Sequence, residues 1–169
     1  MNTINILGSN RHKTFTKTRK GCRGIVLRGG KLLLSRELNT DYWLIPGGGL
    51  EAGESLPECC ERELLEETGF CTKAGELFLT INEYYEEYQY VSYYFLCEII
   101  GEGKQHLTDA EQARGLIPAW LPLESAIEIF KAYPSYATTN EEKRGSYQRE
   151  YTALSEYLKL PPRRCIHEP

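Results

Sequence analysis

Three observations predict an α+β or α/β sandwich, with a mixed sheet in the middle and helices outside. Runs rich in β-branched and aromatic residues recur along the chain, and apolar stripes at helical spacing stand between and after them. A mixed order of strands and scattered helices packs as layers around one core. The third observation is size: 169 residues, 41% of them hydrophobic and 26% charged, suit a single globular unit. The whole chain, 1–169, therefore reads as one domain, with its core at about 20–133 and a C-terminal helix at about 146–159 packed on it.

The first element is a β-hairpin in CRGIVLRGGKLLLS, where Ile25 to Leu27 and Leu32 to Leu34 are joined across Gly29-Gly30. YWLIPGGGLEAGES follows, a short strand broken by Pro46 and then a glycine-rich loop. Residues 55–68 read as a helix. Ser55 and Glu58 form a capping box, Pro57 sits in the first turn where its missing N–H is harmless, and Gly69 marks the stop. ELFLTINEYY and QYVSYYFLCEII are apolar on both faces, as strands covered on both sides should be. Residues 101–116 read as a polar loop, PAWLPLESAIEIF as a strand running into a helix, and SYQREYTALSEYLK as a last helix with Tyr147, Tyr151, Leu154 and Leu158 on one stripe.

Composition narrows the classes of function. No apolar run approaches the roughly 20 residues that span a bilayer, and no signal-peptide pattern follows Met1, so a cytoplasmic location without membrane contact is the expectation. Cys22, Cys59, Cys60, Cys71, Cys97 and Cys165 show no C-x-x-C spacing and no nearby paired histidines, which argues against zinc, redox and disulfide-scaffold roles and for small reduced hydrophobes. The net charge of −4 is unevenly spread: residues 51–67 hold seven Glu and one Arg, while Arg11, Lys13, Lys17, Arg19, Lys20 and Arg23 precede the first acidic residue, Glu37. The basic stretch is expected to be a solvated arm or edge strand, with phosphate contacts as the alternative.

The acidic helix is the most informative segment. Glu63, Glu66 and Glu67 stand at i, i+3 and i+4, so their carboxylates emerge from one face. They also lie in the last turns, where the helix dipole disfavours anions, and the arrangement subtracts about 1 to 3 kcal/mol from a domain stability of about 5 to 15 kcal/mol. Leu56, Cys59 and Cys60 continue this face as an apolar stripe, which points it toward the protein body or a cleft. Oxygen-only ligation without His or Cys suits Mg²⁺ or Mn²⁺, and a bound cation would convert repulsion into stabilisation.

The spacing Gly48, five residues, Glu54, seven residues, then Arg62-Glu63-Leu64-Leu65-Glu66-Glu67-Thr68-Gly69-Phe70 matches every defined position of the Nudix box. A chance match is on the order of one in 10⁸ per starting point from ordinary residue frequencies. The chain thus resembles the Nudix hydrolases over about residues 20–133. The resemblance implies an α/β/α sandwich and metal-dependent hydrolysis of a nucleoside diphosphate linked to another group. It implies Glu63, Glu66 and Glu67 as ligands of Mg²⁺ or Mn²⁺, assisted by the Gly48 carbonyl, with Arg62 holding a neighbouring glutamate and Glu54 bracing the loop. The general base is Glu63 or Glu66 in the box, or Glu111 in the later polar loop. Tyr85, 16 residues after Gly69, resembles the tyrosine of dinucleoside polyphosphate hydrolases and is a candidate for stacking on a base. Tyr42 is a candidate base or ribose contact, and Arg23 and Arg36 are candidate phosphate contacts. The expected partner is a small nucleotide. RNA ranks behind it, a homodimer is left open, and a ligand sensor without hydrolysis is the alternative from another class.

Overall fold

The computed structural model describes residues 2–161. Strands β1 (Asn2–Leu7), β2 (Lys17–Arg28), β3 (Lys31–Glu37), β4 (Tyr42–Leu44) and β5 (Gly47–Gly49) precede helix α1 (Leu56–Thr68). The long strands β6 (Phe70–Tyr85) and β7 (Tyr88–Glu102) lead through α2 (Asp109–Arg114) to β8 (Leu116–Pro122) and α3 (Leu123–Lys131). A 3-10 turn at Tyr133–Tyr136 then connects to α4 (Glu141–Tyr157).

The strands form one mixed sheet in the order β1-β6-β7-β2-β3-β4, with β5 on β2 and β8 on β3. β1 runs parallel to β6 and β2 parallel to β7, whereas β6 and β7 are antiparallel. The β2–β3 hairpin closes Leu27 on Leu32 and Arg28 on Lys31, leaving Gly29 and Gly30 as a two-residue turn with φ of 55° and 72°. Only residues without a side-chain penalty take two left-handed positions in succession easily, so the glycine pair sets the register.

Each face of the sheet carries its own core. On one, Cys59, Cys60 and Leu64 of α1 pack with Cys22, Val26, Leu33, Phe95 and Cys97. On the other, Phe130, Tyr147 and Leu154 of α3 and α4 pack with Ile25, Leu34, Leu79, Ile81 and Tyr94. This is the expected helix–sheet–helix arrangement. Cys22, Cys59, Cys60 and Cys97 are buried free thiols and Cys71 is half-buried, while Cys165 lies outside the described residues.

Four expectations need correction. The N-terminal stretch contains β1, which pairs with β6 over six residues and so extends the sheet well before residue 20. The polar loop at 101–116 contains α2, started by a second capping box at Thr108 and Glu111 and ended by Gly115. The last helix begins at Glu141, where Asn140 caps it, rather than at 146. Leu158 lies one residue past that helix and is 58% exposed, so the buried stripe ends at Leu154, with Ala153 beside it.

Candidate active site at the acidic helix

α1 is held at both ends. Ser55 and Glu58 exchange capping hydrogen bonds at its start, and at its end Gly69 takes φ 75° and returns its N–H to the Leu65 carbonyl. No basic side chain offsets the last turn. Backbone carbonyls there are met from the loop after β7 instead: His106 N–H donates to Glu66 O, and the Gln105 side-chain amide donates to Glu67 O. The carboxylates are thereby left to face a cleft of about 340 Å³ between α1, the Gly47–Gly49 strand and α2.

Arg62 organises this cleft. Its Nε and Nη2 grip Glu54 at 2.7 and 3.0 Å, and Nη1 reaches Glu63 at 2.9 Å and Glu66 at 3.0 Å. Nη2 also donates to the Gly49 carbonyl at 2.9 Å, which ties the glycine strand to the helix. Glu54 in turn accepts from Glu51 N–H at 3.1 Å and closes the loop. The Arg62 hydrogen bonds hold the Glu54 carboxyl below its ordinary range.

The other carboxylates are pushed the opposite way. Glu67 is buried, and this desolvation raises its pKa to about 7 even though Ser35 Oγ (2.7 Å) and Gly47 N–H (3.3 Å) donate to it and Arg23 attracts its charge. Burial also raises Glu63, against the pull of Arg62, and the nearby charges of Glu66 and Glu111 add to the rise. A surplus of negative charge thus stands in a partly dry cleft, supplied only with hard oxygen donors.

These residues fit a divalent cation such as Mg²⁺ or Mn²⁺. Glu63, Glu66, Glu67 and Gly48 all line the cleft, and a Cβ on Gly48 would overlap the Glu63 carboxylate, so the glycine lets the strand approach the acidic helix this closely. Among the described residues, no three acidic, His or Cys side chains already converge as a finished metal cage. Arg62 stands between Glu63 and Glu66, so the side chains must adjust to close around an ion.

Placement of the remaining candidates is mixed. Arg23 and Glu111 line the cleft. Glu111 also spends one carboxylate oxygen on the Thr108 cap, at 2.8 Å to both N–H and hydroxyl. Tyr85, Tyr42 and Arg36 do not line it. Tyr85 is wedged between Gly8 and Gly145, Tyr42 packs edge-on to Tyr147 and donates to Glu142 O, and Arg36 lies over Trp43 and pairs with Asp41. The side chains expected to stack on a base, meet a ribose and meet a phosphate therefore stand off the wall of this cleft.

Sequence reasoning missed Ser35, Leu44, Glu51, Thr108 and Arg114, which line the cleft or contact its carboxylates. A signal existed for Thr108, since T-x-x-E is the capping-box spacing already used to place α1. Ser35, buried at the end of an apolar run, meets Glu67 only through tertiary packing.

Comparison with known proteins agrees with this geometry. The sequence description of the NUDIX domain matches residues 18–142. A Bacillus subtilis protein, provisionally named an ADP-ribose pyrophosphatase, is 29% identical over 54% of this chain and 47% of its own length. Mouse diphosphoinositol polyphosphate phosphohydrolase 3-alpha is 30% identical over 60% of each chain. The chain thus spans about half to three fifths of the length of these two relatives. In fold, it is similar to a NUDIX hydrolase from Nitrosomonas europaea, with a TM-score of 0.56, 20% identity, and coverage of 81% of this chain and 90% of that one. With the family description covering most of the chain and the box residues gathered at one cleft, the protein belongs to the Nudix family.

Proposed function

We propose that this protein is a metal-dependent hydrolase that cleaves the diphosphate bond of a nucleoside diphosphate linked to another group. One observation carries the reading: Arg62, gripped by Glu54, gathers Glu63 and Glu66 beside Gly48 and the buried Glu67 on one open cleft. The family and the names of its relatives support the reaction class.

In this reading Glu63, Glu66, Glu67 and the Gly48 carbonyl hold Mg²⁺ or Mn²⁺. Such an ion, when bound, offsets phosphate charge and acidifies water. Arg62 and Glu54 keep the ligating carboxylates and the glycine strand in register. Water oxygen bonds to phosphorus as the bridging P–O bond breaks, and a carboxylate oxygen of Glu63, Glu66 or Glu111 takes the water's proton. Arg23, on the cleft wall, meets phosphate oxygens. The same reading treats the chain as one domain, supported by the burial of Tyr147 and Leu154 of α4 in the core of the sheet.

The test is a screen with Mg²⁺ or Mn²⁺ over nucleoside triphosphates, oxidised nucleotides, dinucleoside polyphosphates, ADP-ribose and nucleotide sugars. Glu66→Gln and Glu67→Gln serve as controls. Each control is expected to lose about 10²-fold or more in kcat/KM, the scale of removing a charge-stabilising group. Near-normal hydrolysis in both variants would remove the metal assignment. Tight nucleotide binding without hydrolysis by the wild type would favour a sensor.

A further inference from the structure

A second group of charges lies behind the cleft, in the interior. Glu83 of β6 and Arg149 and Glu150 of α4 are all buried, with Glu150 fully excluded from solvent. Arg149 Nη1 donates to Glu83 at 3.2 Å, while its Nε and Nη2 donate to Glu150 Oε1 at 3.2 and 2.7 Å. Tyr94 of β7 donates to Glu150 Oε2 at 2.8 Å. The last member is Arg23, whose Nε lies 3.7 Å from Glu150 Oε1.

The group is electrically balanced, two carboxylates against two guanidinium groups. A balanced buried cluster roughly breaks even in stability against an apolar replacement, so stability alone does not account for it. Its outermost member has a second attachment: Arg23 Nη1 donates to the carbonyls of Ile45 at 2.9 Å and Gly47 at 3.4 Å. The guanidinium is therefore anchored on two sides, by Glu150 and by the backbone entering β5, and it still lines the cleft. Freed from Glu150, the cation would be drawn to Glu67, which it already influences. The anchor comes from α4, nearly all of which lies beyond the stretch, 18–142, that matches the family description.

We propose that Glu150 is a positioning residue for Arg23: it holds the guanidinium where it meets a phosphate group of the substrate and keeps it from collapsing onto the cleft carboxylates. This rests on the reading of the cleft as a phosphate site.

The experiment is titration calorimetry with inorganic pyrophosphate in Mg²⁺, on the full chain, alongside steady-state kinetics on whichever substrate the screen yields. Glu150→Gln removes the charge. Glu150→Asp keeps a negative charge in the cluster but shortens its reach toward Arg23, and it guards against a Glu150→Gln variant that fails to fold. Both are expected to weaken pyrophosphate binding tenfold or more, and to raise KM by more than they lower kcat. Leu154→Val, which loosens the same helix without touching Arg23, should bind within threefold of wild type. Arg23→Lys combined with Glu150→Asp should bind no more weakly than Arg23→Lys alone, since Glu150 acts through Arg23. Wild-type binding by Glu150→Asp, losses that multiply in the double variant, or no pyrophosphate binding by the wild type would each overturn the proposal. Hydrolysis that persists while Glu150→Asp binds normally removes this inference and leaves the proposed activity standing. Glu150-dependent pyrophosphate binding without hydrolysis of any substrate does the reverse.

Discussion

Two clusters of charge sit on opposite sides of the Gly47–Gly49 strand and are built on different principles. The α4 cluster is closed, buried and neutral, with Arg149 and Arg23 answering Glu83 and Glu150. The α1 cluster is open and unbalanced: Arg62 alone bridges Glu54, Glu63 and Glu66, and Glu67 stands beside them with its ionisation already resisted. Balance marks a group that has its partners, and surplus marks one that still needs a ligand. Breaking the first should harm the fold, and breaking the second should harm only function.

The largest expected effect is on the closed cluster. Arg149→Ala leaves Glu83 and Glu150 with Arg23, 3.7 Å from Glu150, as their one remaining counter-charge in the cluster and should lower the unfolding free energy by about 3 to 5 kcal/mol, read by denaturant titration. A loss below about 1 kcal/mol would mean that the cluster is not the balanced unit its geometry suggests.

Next comes the pH response of the open cluster without metal. Glu67 has a folded pKa of about 7, above the ordinary carboxyl value of 4.5, so the folded state binds the extra proton between those values. Its stabilising contribution is complete below about pH 4.5 and disappears as pH rises through about 7. In chelator, the wild type should lose on the order of 3 kcal/mol relative to Glu67→Gln across that window, and saturating Mg²⁺ should reverse the trend. Parallel stability curves for the two proteins would contradict the burial argument.

A smaller effect is expected at Gly48→Ala. The new methyl group would press on the Glu63 carboxylate, so Mg²⁺-dependent kcat/KM should fall about tenfold, the scale of a 1.4 kcal/mol misplacement. Unchanged activity would show that the glycine strand does not shape the acidic site. Smallest of all is Tyr85→Phe, which removes a 3.4 Å contact from Arg144 at a place outside the cleft. Activity should stay within about twofold, as for an exchange away from reacting groups, whereas a large rise in KM would return Tyr85 to the substrate site.

What the sequence disclosed follows the range of the forces involved. α1 was legible at both ends because Ser55, Glu58, Pro57 and Gly69 act within a turn of themselves. The β2–β3 hairpin was legible for the same reason, through Gly29-Gly30. α2 carried an equally local signal in Thr108 and Glu111, but at six residues it has no apolar stripe to make it stand out from a loop. β1 could not be read because its partner, β6, lies more than seventy residues away. The acidic face was visible from periodicity, yet the burial of Glu67 against Ser35 and Gly47 depends on the packing of β3 and β5. The closed cluster was the least legible feature, because Arg23, Glu83, Tyr94, Arg149 and Glu150 come from four elements and none breaks a local rule.

Asn2 donates to Glu156 at 2.8 Å, and the Tyr85 ring fills the space beside both Gly8 and Gly145. The described stretches that flank the family match on either side therefore meet each other, and the path from β1 to α4 is close to a ring. A ring can be opened elsewhere. Joining the start of β1 to the end of α4 through a short linker, and cutting at Gly29-Gly30 where a side chain would meet no neighbour, would reorder the sequence while every strand and helix kept its place.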